Sequence, residues 1–348
     1  MKVGVQYRSF TSNDFLTRDL VKLQDAKIQL LRIGFVNYSS GSNLDSLIPV
    51  IYNNGFEIIG CIQNASLGPS NTTDPTAWGN YVYAIVSTFK SYVKIWEIWN
   101  EPENQVDLPS GFPTDLTLNA QKYAQWLQVA YTRAKQADPA CTILGGAQSN
   151  LQPDRLTWLT NIFANGAGNY MDALSLHPYC ENQSPLPPTM APGNLKAFWK
   201  VGPYQTYANA HDIMSNAGFG NKHIYITEMG WKDSYTSDPS FTELTQAQYL
   251  TDALTYARDN WPWLDAFVIY QWIDYGDTFG LLNSDASLKP AYTNVKAFNE
   301  TCPVGQHWDG TKCVKDTPPT PPPPTVLLAT IIGIILGLGT WYFNRYMT

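Results

Sequence analysis

The chain has 348 residues, which is enough for one large barrel domain with a tail or for two ordinary domains. Only 15% of the residues are charged, against about 25% in an average protein, and the formal net charge is -7. The sequence offers no basic stripe to neutralise phosphates, so the composition excludes nucleic acid as a partner and favours a neutral polymer.

Strand and helix patterns alternate along residues 1–298. Short apolar or β-branched runs predict eight strands, at residues 1–7, 30–35, 57–62, 96–101, 142–145, 173–177, 223–228 and 266–273. Apolar residues at helical spacing predict helices at residues 16–27, 44–53, 75–89, 120–134, 156–164, 195–216, 245–260 and 289–298. This alternation predicts an α/β fold, the (β/α)8 TIM barrel, in which reactive groups lie at the carboxyl ends of the strands.

Two of the predicted strands end on a glutamate. The fourth stops at Asn100, Glu101 and Pro102, and the seventh stops at Glu228, followed by Met229 and a glycine. A lone glutamate at a strand end usually meets solvent or a surface cation. Because strand ends converge in a barrel, two such glutamates favour one site, and paired carboxylates are what cleavage of a glycosidic bond requires.

These stretches resemble the clan A glycoside hydrolases, and members of families 39 and 5 in particular. The resemblance is carried by Asn-Glu-Pro at residues 100–102 and Thr-Glu-Met-Gly-Trp at residues 227–231. A closing segment at residues 278–292 extends it, so that it covers residues 1–298. It implies a retaining double displacement, with Glu101 as the general acid and then base and Glu228 as the nucleophile.

The resemblance also implies roles for residues at other strand ends. Arg32 is expected to hold Glu228 ionised, and a structural ion pair with Glu97 is the alternative. Asn100 is expected to contact the 2-hydroxyl of the sugar.

The sixth and eighth strands supply the remaining candidates. His177 and Tyr179 match a His-x-Tyr element, in which the tyrosine donates toward the nucleophile. Trp272 matches a tryptophan that forms the floor for the sugar ring, with core packing as the alternative, and Trp231 is a further substrate-binding candidate. Residues 63–64 read Gln-Asn where many members of the clan carry a sugar-contacting histidine, so the resemblance leaves the sugar open.

The cysteines predict one disulfide and no metal site. Cys302 and Cys313 flank a short, turn-rich loop that a disulfide would close. Cys61, Cys141 and Cys180 are scattered and are predicted to be buried free thiols. Because no Cys-x-x-Cys pair or paired histidine spacing is present, we expect no structural zinc site. We also expect no other metal and no cofactor.

The composition changes completely after residue 298. Residues 299–317 contain the predicted disulfide loop, residues 318–325 form a Pro-rich stalk, and residues 344–348 form a short tail. Residues 326–343 carry no charge and predict one membrane-spanning helix, with a buried core helix as the alternative. Sequons that permit glycosylation are present at Asn37, Asn64, Asn71, Asn182 and Asn299.

Together these features predict a retaining β-glycosidase that a single membrane span anchors to a cell or virion surface, with its barrel outside the cytoplasm. Its expected partners are an oligosaccharide, polysaccharide or glycoconjugate substrate and the membrane itself. The alternative function is a catalytically silent sugar-binding or adhesion protein on the same barrel. Intact Glu101 and Glu228 favour the enzyme, since a binding protein could lose either without harm.

Overall fold

The structure is a computed structural model that describes residues 1–8, 11–64, 66–67, 75–104, 114–149, 156–179, 184 and 210–301, and the backbone of 306–308 and 313–315. Eight parallel strands form a closed barrel in chain order, and the last strand pairs with the first. The strands are β1 (Lys2–Gln6), β2 (Leu30–Val36), β3 (Glu57–Gln63), β4 (Ile95–Ile98), β5 (Thr142–Gln148), β6 (Ala173–Leu176), β7 (Ile224–Met229) and β8 (Leu264–Ile269). The predicted α/β barrel is confirmed, and its compact unit runs from Met1 to Glu300.

Helices connect successive strands and cover the barrel. They lie at Ser12–Asp14, Leu20–Asp25, Leu44–Asn53, Pro75–Phe89, Leu116–Ala137, Leu156–Ala164, Ala210–Met214, Glu243–Asn260 and Pro290–Glu300, with π-helical turns at Phe15–Asp19 and Ser215–Phe219 and a 3-10 turn at Ala167–Tyr170. Two of these helices have a side-chain cap at the N-terminus. Asp115 accepts from the backbone amides of Thr117 and Leu118 before the helix Leu116–Ala137, and Thr242 forms a capping box with Thr245 at the helix Glu243–Asn260. The helix predicted at residues 195–216 is described only from Ala210 onward.

The core has two layers because parallel strands in a barrel are buried on both faces. Inside the barrel, side chains such as Leu30, Ile59 and Leu144 form a small cluster, and a much larger cluster lies between the strands and the helices. Gly60 of β3 shows how close this outer packing is, because a β-carbon at this position would collide with the ring of Trp96.

The fourth strand ends earlier than the sequence predicts. It stops at Ile98, and the backbone of Trp99 (φ 73°) and Glu101 (φ 47°) takes the left-handed conformation. Strand alternation therefore fails after Ile98: Glu97 points into the barrel, whereas the Trp99 ring contacts Trp78 of the helix outside it. The result is that Glu101 leaves the strand and turns to the mouth of the barrel.

The eighth strand also ends earlier, at Ile269 instead of residue 273. The next residues form hydrogen bonds to neighbouring segments, for example from the Trp272 amide to the carbonyl of Gln6. Tyr270 and Trp272 are therefore part of the loop at the carboxyl end of the barrel.

The segment after the barrel is described only in part. Gln306–Trp308 and Cys313–Lys315 pair as two antiparallel strands, with Cys313 opposite Trp308. Cys302, the partner in the predicted disulfide, lies outside the described residues, as do the stalk at 318–325, the apolar segment at 326–343 and the tail at 344–348. Within the described ranges, no helix has the length and apolar character needed to cross a membrane.

The remaining sequence predictions concern single residues. Cys61 and Cys141 are buried free thiols, as expected, whereas Cys180 is not among the described residues. Asn37 is exposed, and Asn64 and Asn299 are half-buried; the other two sequons lie outside the described ranges.

Candidate active site

A cavity of about 520 Å³ opens at the carboxyl ends of the strands. The loops after β4 and β5 contribute Asn100, Glu101, Asn104 and Ser149 to its lining. Strand β7 contributes Glu228, and the loops after β6, β7, β8 and β1 contribute Tyr179, Gly230, Lys232, Tyr235, Tyr270, Asp277, Phe279 and Arg8. The cavity lies where a TIM barrel places its reactive groups.

The two predicted acids face each other in this cavity. One oxygen of Glu101, one of Glu228 and a ring nitrogen of His177 all lie within 4.8 Å of one another. Glu101 and Glu228 are each only 9% exposed, and the His177 ring is fully buried beneath them. Two carboxylates that are 127 positions apart in the sequence (228 minus 101) therefore form one site.

Glu101 is held by its backbone as well as by its side chain. Its left-handed conformation is retained by a hydrogen bond of 3.0 Å from its amide to the carbonyl of Ala147, which is itself left-handed (φ 48°). Such residues cost about 1 to 3 kcal/mol each and persist only where surrounding contacts impose them. The carboxylate lies 2.9 Å from Nδ1 of His177 and accepts from the Asn104 amide at 3.3 Å.

Glu228 has a donor on each oxygen. Arg32 donates to Oε1 at 2.5 Å, the Tyr179 hydroxyl donates to Oε2 at 2.8 Å, and Nδ1 of His177 lies 3.8 Å from Oε2. Burial raises the pKa of Glu228, but the charges of His177 and Arg32 and these hydrogen bonds outweigh it, so the net pKa is lowered. Glu228 is therefore maintained as a carboxylate.

Arg32 lies at the centre of the polar network below the cavity. Its guanidinium donates to Glu97 on one side and to Glu228 on the other, so the two roles considered from the sequence coexist. It also donates to the side-chain oxygens of Gln6 and Asn100, at 2.7 Å in each case. Because its donors are all engaged, the Arg32 guanidinium fixes the positions of both the Glu228 carboxylate and the Asn100 amide.

His177 contacts both acids and a buried hydroxyl. Its Nε2 lies 3.1 Å from the Thr227 hydroxyl, and its Nδ1 faces Glu101 and Glu228. Burial lowers the pKa of His177, but the charge of Glu228 and the hydrogen bond with Glu101 raise it more, and the net pKa is raised. The His177 ring thus contacts both carboxylates through Nδ1, and these contacts favour its protonated form.

Two carboxylates and an imidazole converge at this site. The Glu101, His177 and Glu228 atoms are close enough to surround a cation. However, each oxygen of Glu228 already accepts a hydrogen bond, one from the guanidinium of Arg32 and one from the hydroxyl of Tyr179. This arrangement can protonate one atom of a bound molecule and attack its neighbour.

Two predicted sugar-binding residues lie elsewhere. Trp231 is fully buried and packs edge-on against Tyr249 with centroids 5.8 Å apart. Trp272 is also fully buried, and its indole nitrogen donates to Asp19 at 3.0 Å. Neither ring lines the cavity, so the structure places them in packing and not in the floor of the site. The physical reason for Trp272 is the early end of β8, which changes the direction of its side chain.

Most of the wall formed by the loops after β7, β8 and β1 was not predicted from the sequence. Tyr270 lies inside the predicted eighth strand, Phe279 lies in a segment recognised only by resemblance, and Arg8 and Lys232 look like ordinary surface cations. The rule that strand ends converge could have identified Arg8, because it follows β1 by two residues.

This wall is fixed by a buried ion cluster. Lys289, only 1% exposed, binds Asp233 at 2.8 Å and Asp274 at 2.7 Å, which joins the loop after β7 to the loop after β8. The backbone amide of Asp233 also donates to the carbonyl of Thr278, which accepts from Lys289 as well. Lys232 and Phe279, neighbours of these residues in the chain, are thereby held at the cavity.

No protein-family model and no curated protein matches the chain. Solved structures similar to it include a family 39 glycoside hydrolase from Bacteroides cellulosilyticus, with 19% identity and a TM-score of 0.65 over 85% of this chain and 63% of that one. A monomeric beta-xylosidase from Caulobacter crescentus has 15% identity and a TM-score of 0.61, over 86% of this chain and 67% of that one.

A family 10 endo-beta-1,4-xylanase described as psychrophilic has 14% identity and a TM-score of 0.60, over 85% of this chain and 96% of that one. The chain thus spans less than two thirds of the family 39 enzyme but nearly all of the xylanase. These structural neighbours are glycosidases that carry the same barrel. The chain therefore shares the (β/α)8 fold of these enzymes.

Proposed function

We propose that this protein is a retaining glycoside hydrolase that cleaves β-glycosidic bonds by double displacement. The observation that carries the proposal is the distance of at most 4.8 Å between an oxygen of Glu101 and an oxygen of Glu228. Retaining enzymes hold these groups about 5 to 5.5 Å apart, whereas inverting enzymes need about 6.5 to 9.5 Å to accommodate a water molecule.

In the first step, Glu228 attacks the anomeric carbon while Glu101 gives its proton to the leaving oxygen. Arg32 and Tyr179 keep Glu228 ionised and aimed, through bonds of 2.5 and 2.8 Å. The bond from carbon to the leaving group breaks, and a covalent glycosyl ester on Glu228 forms. Asn100, held by Arg32 beside Glu101, is the candidate contact for the 2-hydroxyl.

In the second step, Glu101 is ionised and removes a proton from water. The water attacks the anomeric carbon from the face that the leaving group has vacated, and Glu228 is released as a carboxylate. Glu101 is then protonated again, which closes the cycle. Two inversions give net retention of configuration.

Product stereochemistry tests this proposal directly. A panel of aryl β-glucosides, galactosides, xylosides and uronides identifies a cleaved substrate, and NMR during the first minutes identifies the first anomer released. We expect the β-anomer. Initial release of the α-anomer would mean inversion and would contradict Glu228 as the nucleophile, and a panel with no cleaved member would favour the silent binding protein.

The environment of Glu228 predicts a pH effect. Replacement of Tyr179 by Phe removes a hydrogen bond that lowers the pKa of Glu228, so that pKa should rise. Because the nucleophile acts only as a carboxylate, the acidic limb of the kcat/KM profile should move to higher pH. Tyr52→Phe, on an exposed site of the helix Leu44–Asn53, is the control and should leave the profile unchanged.

We also propose that residues 326–343 anchor the barrel to a membrane, with the barrel outside the cytoplasm. This segment has no charged residue, and as a helix it would be about 27 Å long, close to the apolar thickness of a bilayer. The full chain should sediment with membranes and be released by detergent. If it behaves like a chain that ends at residue 317 and stays in the supernatant, the segment is not an anchor.

A further inference from the structure

One wall of the cavity combines aromatic rings with positive charge. The rings of Tyr179, Tyr270 and Phe279, here called the aromatic triad, contact one another edge to face. Their centroids are separated by 6.1 Å (Tyr179 to Tyr270), 5.9 Å (Tyr179 to Phe279) and 5.4 Å (Tyr270 to Phe279). The triad adjoins the reactive carboxylate, because the Tyr179 hydroxyl is bonded to Glu228.

Each of two rings in the triad carries a cation. The guanidinium carbon of Arg8 lies 5.4 Å from the centroid of Tyr270, and Nη2 of Arg8 donates to the hydroxyl of that tyrosine at 2.7 Å. The ammonium of Lys232 lies 5.6 Å from the centroid of Phe279. Both side chains are exposed and line the cavity, and within the described part of the chain neither forms an ion pair with a carboxylate.

Apart from Glu228, the acidic side chain among the described residues of this wall is Asp277, and it is already engaged. Asp277 accepts from the amide of Gln271 at 2.6 Å and from the hydroxyl of Tyr270 at 3.3 Å. Tyr270 thus lies between Asp277 and Arg8, and Asp233 nearby is paired with Lys289 below the surface. Among the described residues on this side of the cavity, the cations Arg8 and Lys232 therefore face two carboxylates, Asp277 and Glu228, and both of these accept from other donors.

We propose that this wall binds the carboxylate of an acidic sugar, so that the substrate is a uronic acid glycoside. The inference rests on the proposed function and names its substrate class. A sugar whose anomeric carbon lies between Glu101 and Glu228 has the β4 and β5 loops on one side and the loops of β7, β8 and β1 on the other. Its ring then packs on the aromatic triad, and a carboxylate on the ring reaches Arg8 and Lys232.

Charge explains why an acidic sugar fits better than a neutral one. A neutral hydroxymethyl group would displace water from two cations and accept hydrogen bonds from them, but it brings no opposite charge. A carboxylate forms charge-assisted bonds, which are roughly twice as strong, and an arginine can bind it through two parallel bonds. The negative charge of Glu228 opposes an acidic substrate, and the two cations offset that repulsion at the wall.

Matched substrates test the inference. The kcat/KM of the full chain is measured on an aryl β-glucuronide against the aryl β-glucoside, and on the galacturonide against the galactoside. The members of each pair differ only in the carboxylate. The native protein should prefer the uronide of at least one pair by about 10-fold or more, since hydrogen bonds to charged groups are worth about that factor or more. A preference for the neutral member of both pairs would overturn the inference while leaving the glycosidase proposal standing.

Variants assign any preference to the two cations. Arg8→Gln and Lys232→Gln should each lower the ratio of uronide to neutral kcat/KM by roughly 10- to 100-fold, and Arg8→Lys should retain part of it. Lys90→Gln removes the same charge at an exposed position after the helix Pro75–Phe89 and should leave the ratio unchanged. Equal ratios in all variants would refute the assignment to Arg8 and Lys232.

A binding measurement separates failure of this inference from failure of the proposed function. Free glucuronate and galacturonate, with glucose and galactose as neutral controls, are titrated into the native and variant proteins by calorimetry. Binding of an acid that is lost in Arg8→Gln and Lys232→Gln supports the inference even if no glycoside is cleaved. Absence of acid binding together with absence of uronide cleavage overturns it.

Discussion

Replacement of Glu228 by Gln should reduce the kcat/KM on every glycoside by a factor on the order of 10^4 or more, without unfolding the barrel. The amide has nearly the same shape as the carboxylate. Its single oxygen can still accept from Arg32, and its NH2 group can donate to the hydroxyl oxygen of Tyr179, which reverses that hydrogen bond. It cannot form the glycosyl ester, however, because a neutral amide oxygen is a poor nucleophile. Thermal unfolding of the variant and cleavage of an aryl glycoside are the two measurements.

A chemical rescue makes this test specific. Glu228→Ala leaves space for a small anion, and azide should restore cleavage of an activated aryl β-glycoside with a single inversion, so that the product is the α-glycosyl azide. Glu300→Gln, at an exposed position at the end of the barrel unit, is the control and should retain native turnover. Turnover of Glu228→Gln within a factor of about ten of native would remove it as the nucleophile.

Replacement of Glu101 by Gln should produce a loss that depends on the leaving group. Substrates with a poor leaving group need the proton of Glu101 and should lose about 10^2- to 10^4-fold in kcat/KM, whereas dinitrophenyl glycosides should lose much less. The Gln side chain can keep the contact with His177, so the change is confined to proton transfer. The comparison is made across a series of aryl glycosides of graded phenol acidity.

The second step gives an independent check on Glu101. With a dinitrophenyl glycoside the intermediate should accumulate in Glu101→Gln, because no base activates water, and a burst of phenol should precede slow turnover. Azide should accelerate turnover and yield the β-glycosyl azide, the opposite anomer from the Glu228→Ala product. Equal losses on good and poor leaving groups would contradict the role of Glu101 as the acid.

The barrel could be predicted from the sequence because its information is local. Each β-branched run predicts one strand, and each apolar stripe at helical spacing predicts one helix. Eight such strand–helix units together indicate the (β/α)8 barrel. Glu101 and Glu228 follow from the same logic, since they end two of the runs. Arg32 follows as well, although the sequence could not show that one guanidinium bonds Glu97 and Glu228 together.

Where the prediction failed, tertiary contacts override the local pattern. Trp99 and Glu101 carry a left-handed backbone that sequence reasoning reserves for glycine, and contacts such as the bond from Glu101 to Ala147 retain it. Trp272 was predicted on a strand that in fact ends at Ile269, so its ring turns away from the cavity toward Asp19. The wall that carries Arg8 and Lys232 was not predicted, because its residues come from the loops after β7, β8 and β1, which only the closed barrel brings together.

The buried ammonium of Lys289 has a consequence for how a ligand enters. Its ion pairs hold the loop after β7 against the loop after β8, so the surface that these loops form beside Glu228 exists before any sugar binds. A ligand then has little chain motion to freeze, and affinity is not diminished by the entropy of closing a lid over it. Binding on this side of the barrel should consequently take place at a preformed surface, with an association rate that is limited by diffusion and not by loop rearrangement.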